Sequence, residues 1–310
     1  MTIFGWDMSH YDAPGVGAAV TEGVSFLTHK AGGDKDDPEI GAWWAGVRGL
    51  DPARVLVGAY WVLYPGNSSA RADSFLARLD ATCPGWRDRP FLLQVDCEKW
   101  NGDAGTVPGR ADIRAFCARL VARMPRLRPV VYAPKWVYGD SLTGLGYPLW
   151  ASSYVSAAGG FKALYPGDAS SRWATYSGQT PAILQYSSSA TIGGQSTSDA
   201  NAYRGTLAEL TALVAPGWRE DMDLTPDNLK AIAGAVWGND VDPSAGGYTA
   251  SGALWTVLGR TGAISQTVAK SLDPEAIAQA VVAALPTERV DISPAELQEA
   301  ILETLRKLVA

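Results

Sequence analysis

Short β-type runs alternate with amphipathic segments through the first 215 or so residues, and this alternation restricts the fold more than any other feature of the sequence. Runs of apolar, β-branched or aromatic residues lie at 3–7, 24–30, 55–61, 91–98, 129–133, 148–151 and 182–186. Between several of them lie helical patterns. The clearest is 110–124, where Ile113, Phe116, Cys117, Leu120, Val121 and Met124 recur at helical spacing and form one apolar stripe. Repeated βα units argue for a parallel barrel or a doubly wound sheet. The later strands crowd together and leave less room for helices, which favours an α/β chain folded as an irregular TIM-like β/α barrel.

A composition shift follows. Aromatics and Gly-rich loops give way to Ala, Leu and Glu near Ala215-Pro216-Gly217. The expected division is a barrel over 1–217 and a smaller all-α region over 218–310. Thr225-Pro226, Asp273-Pro274 and Ser293-Pro294-Ala295-Glu296 read as helix starts, the last as a capping box with Pro at the first helical position. In the last helix Leu297, Ile301, Leu305 and Leu308 form an apolar seam. It packs either on this chain or on a second copy, so a homo-oligomer formed through these helices is one expectation.

Charge and rare residues exclude several functions. The barrel part is balanced, and the C-terminal part carries the whole formal charge of −6. No basic excess marks a nucleic-acid surface, and no apolar run is long enough to span a bilayer. No secretory signal is readable at the start, so synthesis in the cytosol is expected. Three cysteines, Cys83, Cys97 and Cys117, have no metal-like spacing and argue against a disulfide framework. With only His10 and His29, a zinc hydrolase or a His-activated nucleophile has few residues to draw on. No metal or other cofactor is expected. Carboxylates remain, together with 12 tryptophans, mostly before residue 219, that suit both a core and a sugar-stacking groove.

Strand alternation places Gln94, Asp96 and Glu98 on one face, with Val95 and Cys97 on the other. In a parallel barrel the C-terminal strand ends form the catalytic mouth; the bland alternative is two hydrated acids at a fraying strand end. Asp7, at the end of the first run, would reach the same mouth. Asp199 reads either as an N-cap for a helical stretch containing Tyr203, Leu207, Leu210 and Val214, or as a further acid of the site. Clustered acids suit glycoside hydrolysis, which needs one protonated carboxyl and one ionised group. Like-charge repulsion would keep Glu98 protonated nearer neutral pH.

These residues also resemble a known family. Gly5-Trp6-Asp7-Met8-Ser9-His10-Tyr11 is similar to the opening motif of the family 25 glycoside hydrolases, the Chalaropsis-type lysozymes common among phage endolysins. Lys30-Ala31, Gly58-Ala59-Tyr60, Asp96-Cys97-Glu98, Val131-Tyr132, Leu149-Trp150, Leu184-Gln185-Tyr186 and Asp199-Ala200-Asn201 resemble its later motifs, in order. The resemblance covers about residues 1–215. It implies an irregular β/α barrel that cleaves the β-1,4 bond between N-acetylmuramic acid and N-acetylglucosamine, with peptidoglycan glycan strands as partner. Carried over by position, Glu98 would be the general acid and Asp96 the second catalytic carboxylate. Asp7 and Asp199 would complete an acidic floor. Tyr60, Tyr132, Trp150 and Gln185 would line the groove. The sequence departs from the family pattern at Trp61, where His is common, at Gly32-Gly33-Asp34, and at Leu184, where Trp is common; Trp61 thereby becomes a further groove candidate. The resemblance also implies a phage enzyme that lyses its host, made in the host cytoplasm and reaching the wall through a holin-type lesion.

Other residues have two readings. Cys97 and Cys117 fit the core. His10 either touches substrate or makes a loop hydrogen bond. His29 and Lys30 alternate, so only one points inward, and Lys30 is a candidate charge partner of the acids. Trp100, Trp136 and Tyr154 follow strand ends, as sugar platforms or packed rings. A non-catalytic wall-binding or structural phage protein is the main alternative function; an amidase or peptidase is poorly served by two isolated histidines.

Overall fold

In a computed structural model that describes residues 1–12, 15–216 and 218, the seven β-type runs and two further segments, the seventh and ninth strands, form β1 (Ile3–Met8), β2 (Val24–Gly32), β3 (Leu56–Val62), β4 (Phe91–Asp96), β5 (Val130–Tyr132), β6 (Leu149–Ser152), β7 (Gly159–Gly160), β8 (Ile183–Ile192) and β9 (Gln195–Tyr203). The helices are α1 (Val16–Glu22), α2 (Ile40–Val47), α3 (Ser68–Thr82), α4 (Arg110–Arg123), α5 (Lys135–Tyr138), α6 (Phe161–Leu164) and α7 (Leu207–Val214). β1 to β6 pair in sequence order, all parallel, and β6 pairs with β8, also parallel. β9 runs antiparallel between β8 and β1 and closes the ring. The result is a closed barrel of eight strands, with β7 added to the far end of β8. The expected helical C-terminal region, with its Leu297 to Leu308 seam, lies outside the described residues.

The barrel has two apolar layers. Inside, the Phe26 ring lies against Gly5 and meets Trp150 edge-on at 6.0 Å, and above it Thr28 Oγ1 donates to Gln94 Oε1 at 2.7 Å. Outside, Phe91 packs on Trp44 and Trp86, and Phe75 of α3 stacks on Phe116 of α4. The α4 stripe is buried through Ile113, Phe116, Cys117 and Leu120, as its spacing predicts. Cys97 and Cys117 are wholly buried.

Two expectations are corrected. The sequence reading has no strand after 186, but β8 continues to Ile192 and turns through Gly193 and Gly194, both at positive φ, into β9. Positive φ at both residues is what a tight two-residue hairpin needs. The Ser/Thr/Gly composition of this hairpin hides it from a search for apolar alternation. Asp199 therefore lies in a strand and caps no helix. α7 begins at Leu207, capped by the Thr206 hydroxyl, which accepts from Glu209 N–H while Thr206 N–H donates to the Glu209 carboxylate.

Gly5 has no room for a methyl group, since an added Cβ would lie 2.1 Å from the Phe26 ring. Gly5→Ala is expected to destabilise the barrel by about 1–3 kcal/mol, seen as a lower urea midpoint at unchanged slope. A midpoint equal to that of the parent would contradict this packing.

Candidate active site

Parallel strands deliver their C-terminal ends to one rim, and the acids collect there. Asp7 pairs in register with Asp199 across β1 and β9, and Val62 with Asp96 across β3 and β4. Glu98 lies two residues beyond β4, half-buried in the following loop rather than on the strand. Asp96 feels the charges of Glu98, Asp7, Lys30 and Asp199, and Glu98 those of Asp7 and Lys30. Tyr60, half-buried on β3, feels Asp96, Asp7 and Asp199.

Asp7 is the best-held of these acids. Asn201 Nδ2 donates to its Oδ1, and Gln185 Nε2 donates to both its oxygens at 3.0 Å. Both amides are themselves oriented. Trp150 Nε1 donates to Asn201 Oδ1 at 2.9 Å. Tyr132 and Tyr154 hydroxyls donate to Gln185 Oε1 at 2.9 and 2.6 Å. Each amide oxygen is thus occupied, so each amide presents N–H groups to Asp7. By contrast, Asp96 Oδ1 is buried without a hydrogen-bond partner.

Burial sets the protonation of the site. It raises Asp7 to about 6 against the pull of its amide donors, and the nearby Asp12 raises it further. Glu98 is raised to about 7, first by burial and then by the Asp7 charge, while Lys30 opposes the shift. Asp96 is pushed well above the usual carboxylate range by burial, then by Glu98 and Asp7. Asp199 is raised by burial and then by Asp7, Asp12 and Glu98. Desolvation therefore outweighs the like-charge repulsion that the sequence reading put first. Burial thus raises all four acids, and Asp7 alone among them is held by side-chain amide donors that favour its ionised form.

Several groove candidates are placed elsewhere. Trp150 is fully buried inside the barrel, below the rim, where it orients Asn201 and offers no surface to a ligand. Trp61 points away from the barrel interior onto Phe75 of α3 and is also buried; it cannot share a face with Tyr60, its neighbour on the same strand. Tyr132 and Gln185 belong to the floor beneath the acids. Lys30 lies on the site side, its Nζ 5.4 Å from the centre of the Trp100 ring. His29 turns outward onto Trp43. His10 makes the loop bond, its Nδ1 2.8 Å from Asp37 Oδ2. Among the described residues no cluster is arranged to hold a metal ion. Asn201 was missed as a site residue. Its signal is its place two residues after Asp199, on the same face once 195–203 is read as a strand. The Tyr154 hydroxyl was missed too, and nothing in the local sequence points to its partner 31 residues away.

A carboxyl that is raised on folding holds its proton more tightly in the folded chain. Asp7 and Glu98 therefore disfavour the fold progressively as pH rises from their usual values, 3.8 and 4.5, to about 6 and about 7, and uniformly above that. The thermal midpoint is expected to fall over this window, and Asp96 and Asp199, raised still further by burial, extend the fall above it. Glu98→Gln should flatten the upper part of the fall. An unchanged profile in that variant would count against a raised Glu98. Asp73 and Asp80, lowered mainly by Arg119 and Arg87, act in a separate window below pH 3.8.

No protein-family model matches the sequence, and a search of curated proteins finds no match. Solved structures do match. A family GH25 lysozyme from Aspergillus fumigatus is 21% identical at a TM-score of 0.52, covering 69% of this chain and 100% of that one. A muramidase from Trichobolus zukalii is 21% identical at 0.51, covering 69% and 99%. The catalytic domain of an endolysin from a Listeria monocytogenes bacteriophage is 15% identical at 0.50, covering 68% and 97%. The closed barrel described above therefore has the β/α-barrel fold of these lysozymes.

Proposed function

We propose that the barrel is an N-acetylmuramidase, a glycoside hydrolase that cuts the β-1,4 bond between N-acetylmuramic acid and N-acetylglucosamine in peptidoglycan. The observation that carries this reading is the gathering of Asp7, Asp96, Glu98 and Asp199 at the mouth of a lysozyme-type barrel, with Asp7 fixed by Asn201 and Gln185 and Glu98 raised by burial. Glu98 is the general acid. Its proton passes to the glycosidic oxygen as the bond from that oxygen to the sugar C1 breaks. Asp7, ionised and fixed by three amide hydrogen bonds, stabilises the positive charge that develops at C1. Water then supplies the new oxygen at C1, and its proton returns the site to its starting state. Asp96, the second carboxylate of the Asp96-Cys97-Glu98 motif, has one oxygen buried without a hydrogen-bond partner and positions the bound sugar, with Asp199 and Tyr60 completing the wall. The likeness to structures described as a lysozyme, a muramidase and a phage endolysin supports the substrate class.

The reading extends to a phage lysis enzyme, made in the host cytoplasm and reaching the wall through a membrane lesion. The endolysin likeness and the sequence motifs support this. Cells producing the protein should lyse only when the inner membrane is opened, and lysis without opening would remove this extension.

The central test is chemical. Purified protein incubated with peptidoglycan should release new reducing ends and no new free amines. Release of amines would indicate an amidase, and release of neither would favour a wall-binding protein. Glu98→Gln should lower reducing-end release by about 10²–10⁴-fold with the fold retained. A variant that stays active disproves the acid assignment. The rate should follow a narrow bell between limbs at about 6 and about 7, and a flat profile from pH 4 to 8 would contradict the mechanism.

A further inference from the structure

Two amides donate to Asp7, and they are held by different kinds of partner. Gln185 Oε1 accepts from the Tyr132 and Tyr154 hydroxyls. A hydroxyl can donate or accept, so both could turn and accept from the Gln185 N–H groups if that amide reversed. Asn201 has no such freedom. Its Oδ1 faces Trp150 Nε1 at 2.9 Å, and an indole N–H only donates. Its Nδ2 faces the Asp199 backbone carbonyl at 3.1 Å, and a carbonyl only accepts. Reversing this amide would set donor against donor and acceptor against acceptor. Asn201 is therefore fixed as a donor to Asp7 Oδ1, and a fixed donor favours the ionised carboxyl over the protonated one.

The surroundings make this strict. Trp150 and Asn201 are both wholly buried, so neither exchanges its partner for bulk water. The indole is itself set by packing. Phe26 meets it edge-on with ring centres 6.0 Å apart, and the Phe26 ring fills the space left by Gly5, which is in register with Asn201 across β1 and β9. Within β6, Trp150 is in register with Tyr132 on one side and Ile183 on the other. Packing thus fixes the indole, and the indole fixes the amide.

We propose that Trp150 is a positioning residue for the reaction: from below the rim, without touching substrate, its indole N–H holds Asn201 as a constant donor and so keeps the charge on Asp7. The proposal rests on the muramidase reading for the use made of that charge, and adds which residue maintains it. Burial pushes Asp7 toward its protonated form, and the Asn201 and Gln185 amides oppose it. Of these two amides, only Asn201 has its direction settled by partners that cannot reverse.

The test reads Asp7 directly and needs no turnover. Carboxyl carbon NMR of the isotope-labelled full-length chain follows the Asp7 titration, with Asp7→Asn to assign the signal. Benzothienylalanine at position 150 keeps the ring shape and lacks the N–H, and Trp150→Phe is a second donor-free variant. Either should raise the pH at which Asp7 titrates by roughly one unit, and the acid limb of reducing-end release should move with it. Tyr154→Phe, which leaves Tyr132 on Gln185, should move it by less than half as much. In an Asn201→Ala chain, where the amide is already gone, loss of the indole N–H should add no further shift. The proposal is overturned if Asp7 titrates as in the parent when benzothienylalanine replaces the indole. It is equally overturned if the shift persists in full in the Asn201→Ala chain, as a general loosening of the core would produce. The two readings fail separately. Cleavage by the wild-type chain with an unmoved Asp7 titration in the variants removes this proposal alone, whereas a wild-type chain that releases no reducing ends removes the muramidase reading while the titration still decides the role of Trp150.

Discussion

A carboxylate in the mouth of a barrel stays ionised only if something replaces the water it has lost. For Asp7 that replacement is a pair of side-chain amides, from Asn201 and Gln185, that donate to it together. Much of the interior is arranged to keep those amides facing the right way. Trp150 occupies the Asn201 oxygen, and Tyr132 and Tyr154 occupy the Gln185 oxygen. Removing one of these donors would free an amide to rotate, and Asp7 would lose its partner without any change in its own surroundings.

The same requirement explains why the barrel closes as it does. Asn201 and Asp199 come from β9, which runs against the other strands and pairs with β1 in a register that sets Asp199 opposite Asp7. Gln185 comes from β8, on the other side of β9. An open sheet would leave these groups at its edges. Closure brings them around Asp7 and removes water from the same space, so one event builds the hydrogen-bond network and raises the pKa of every acid within it. The two effects oppose each other at Asp7, whereas at Glu98, which has no amide donors, burial and the Asp7 charge are opposed only by Lys30. The amide donors therefore distinguish Asp7 from Glu98.

The aromatic residues divide by depth. Phe26 and Trp150 fill the barrel below the site, while Trp44, Trp61, Trp86 and Phe75 seal the helices against its outside. The abundance of tryptophan reflects mainly this double packing, and only a few rings at the rim remain open to a ligand.

Much of this was legible in the chain itself. The periodicities of two and 3.6 residues located seven strands and helix α4, placed Gln94 and Asp96 on the face opposite Val95 and Cys97, and already forbade Tyr60 and Trp61 from sharing a face. The Asp96 and Glu98 spacing and the Asp7 strand end marked the acids. Other features arose only in three dimensions. The β8–β9 hairpin is stabilised by pairing with β1 and β6 rather than by an apolar pattern of its own. The depth of Trp150 follows from how neighbouring strands are staggered around the barrel. The rank order of the carboxyl pKa values follows from burial. Sequence spacing determines which way a side chain points relative to its neighbours. How far it lies from water, and which distant group it meets there, depends on the closed ring of strands.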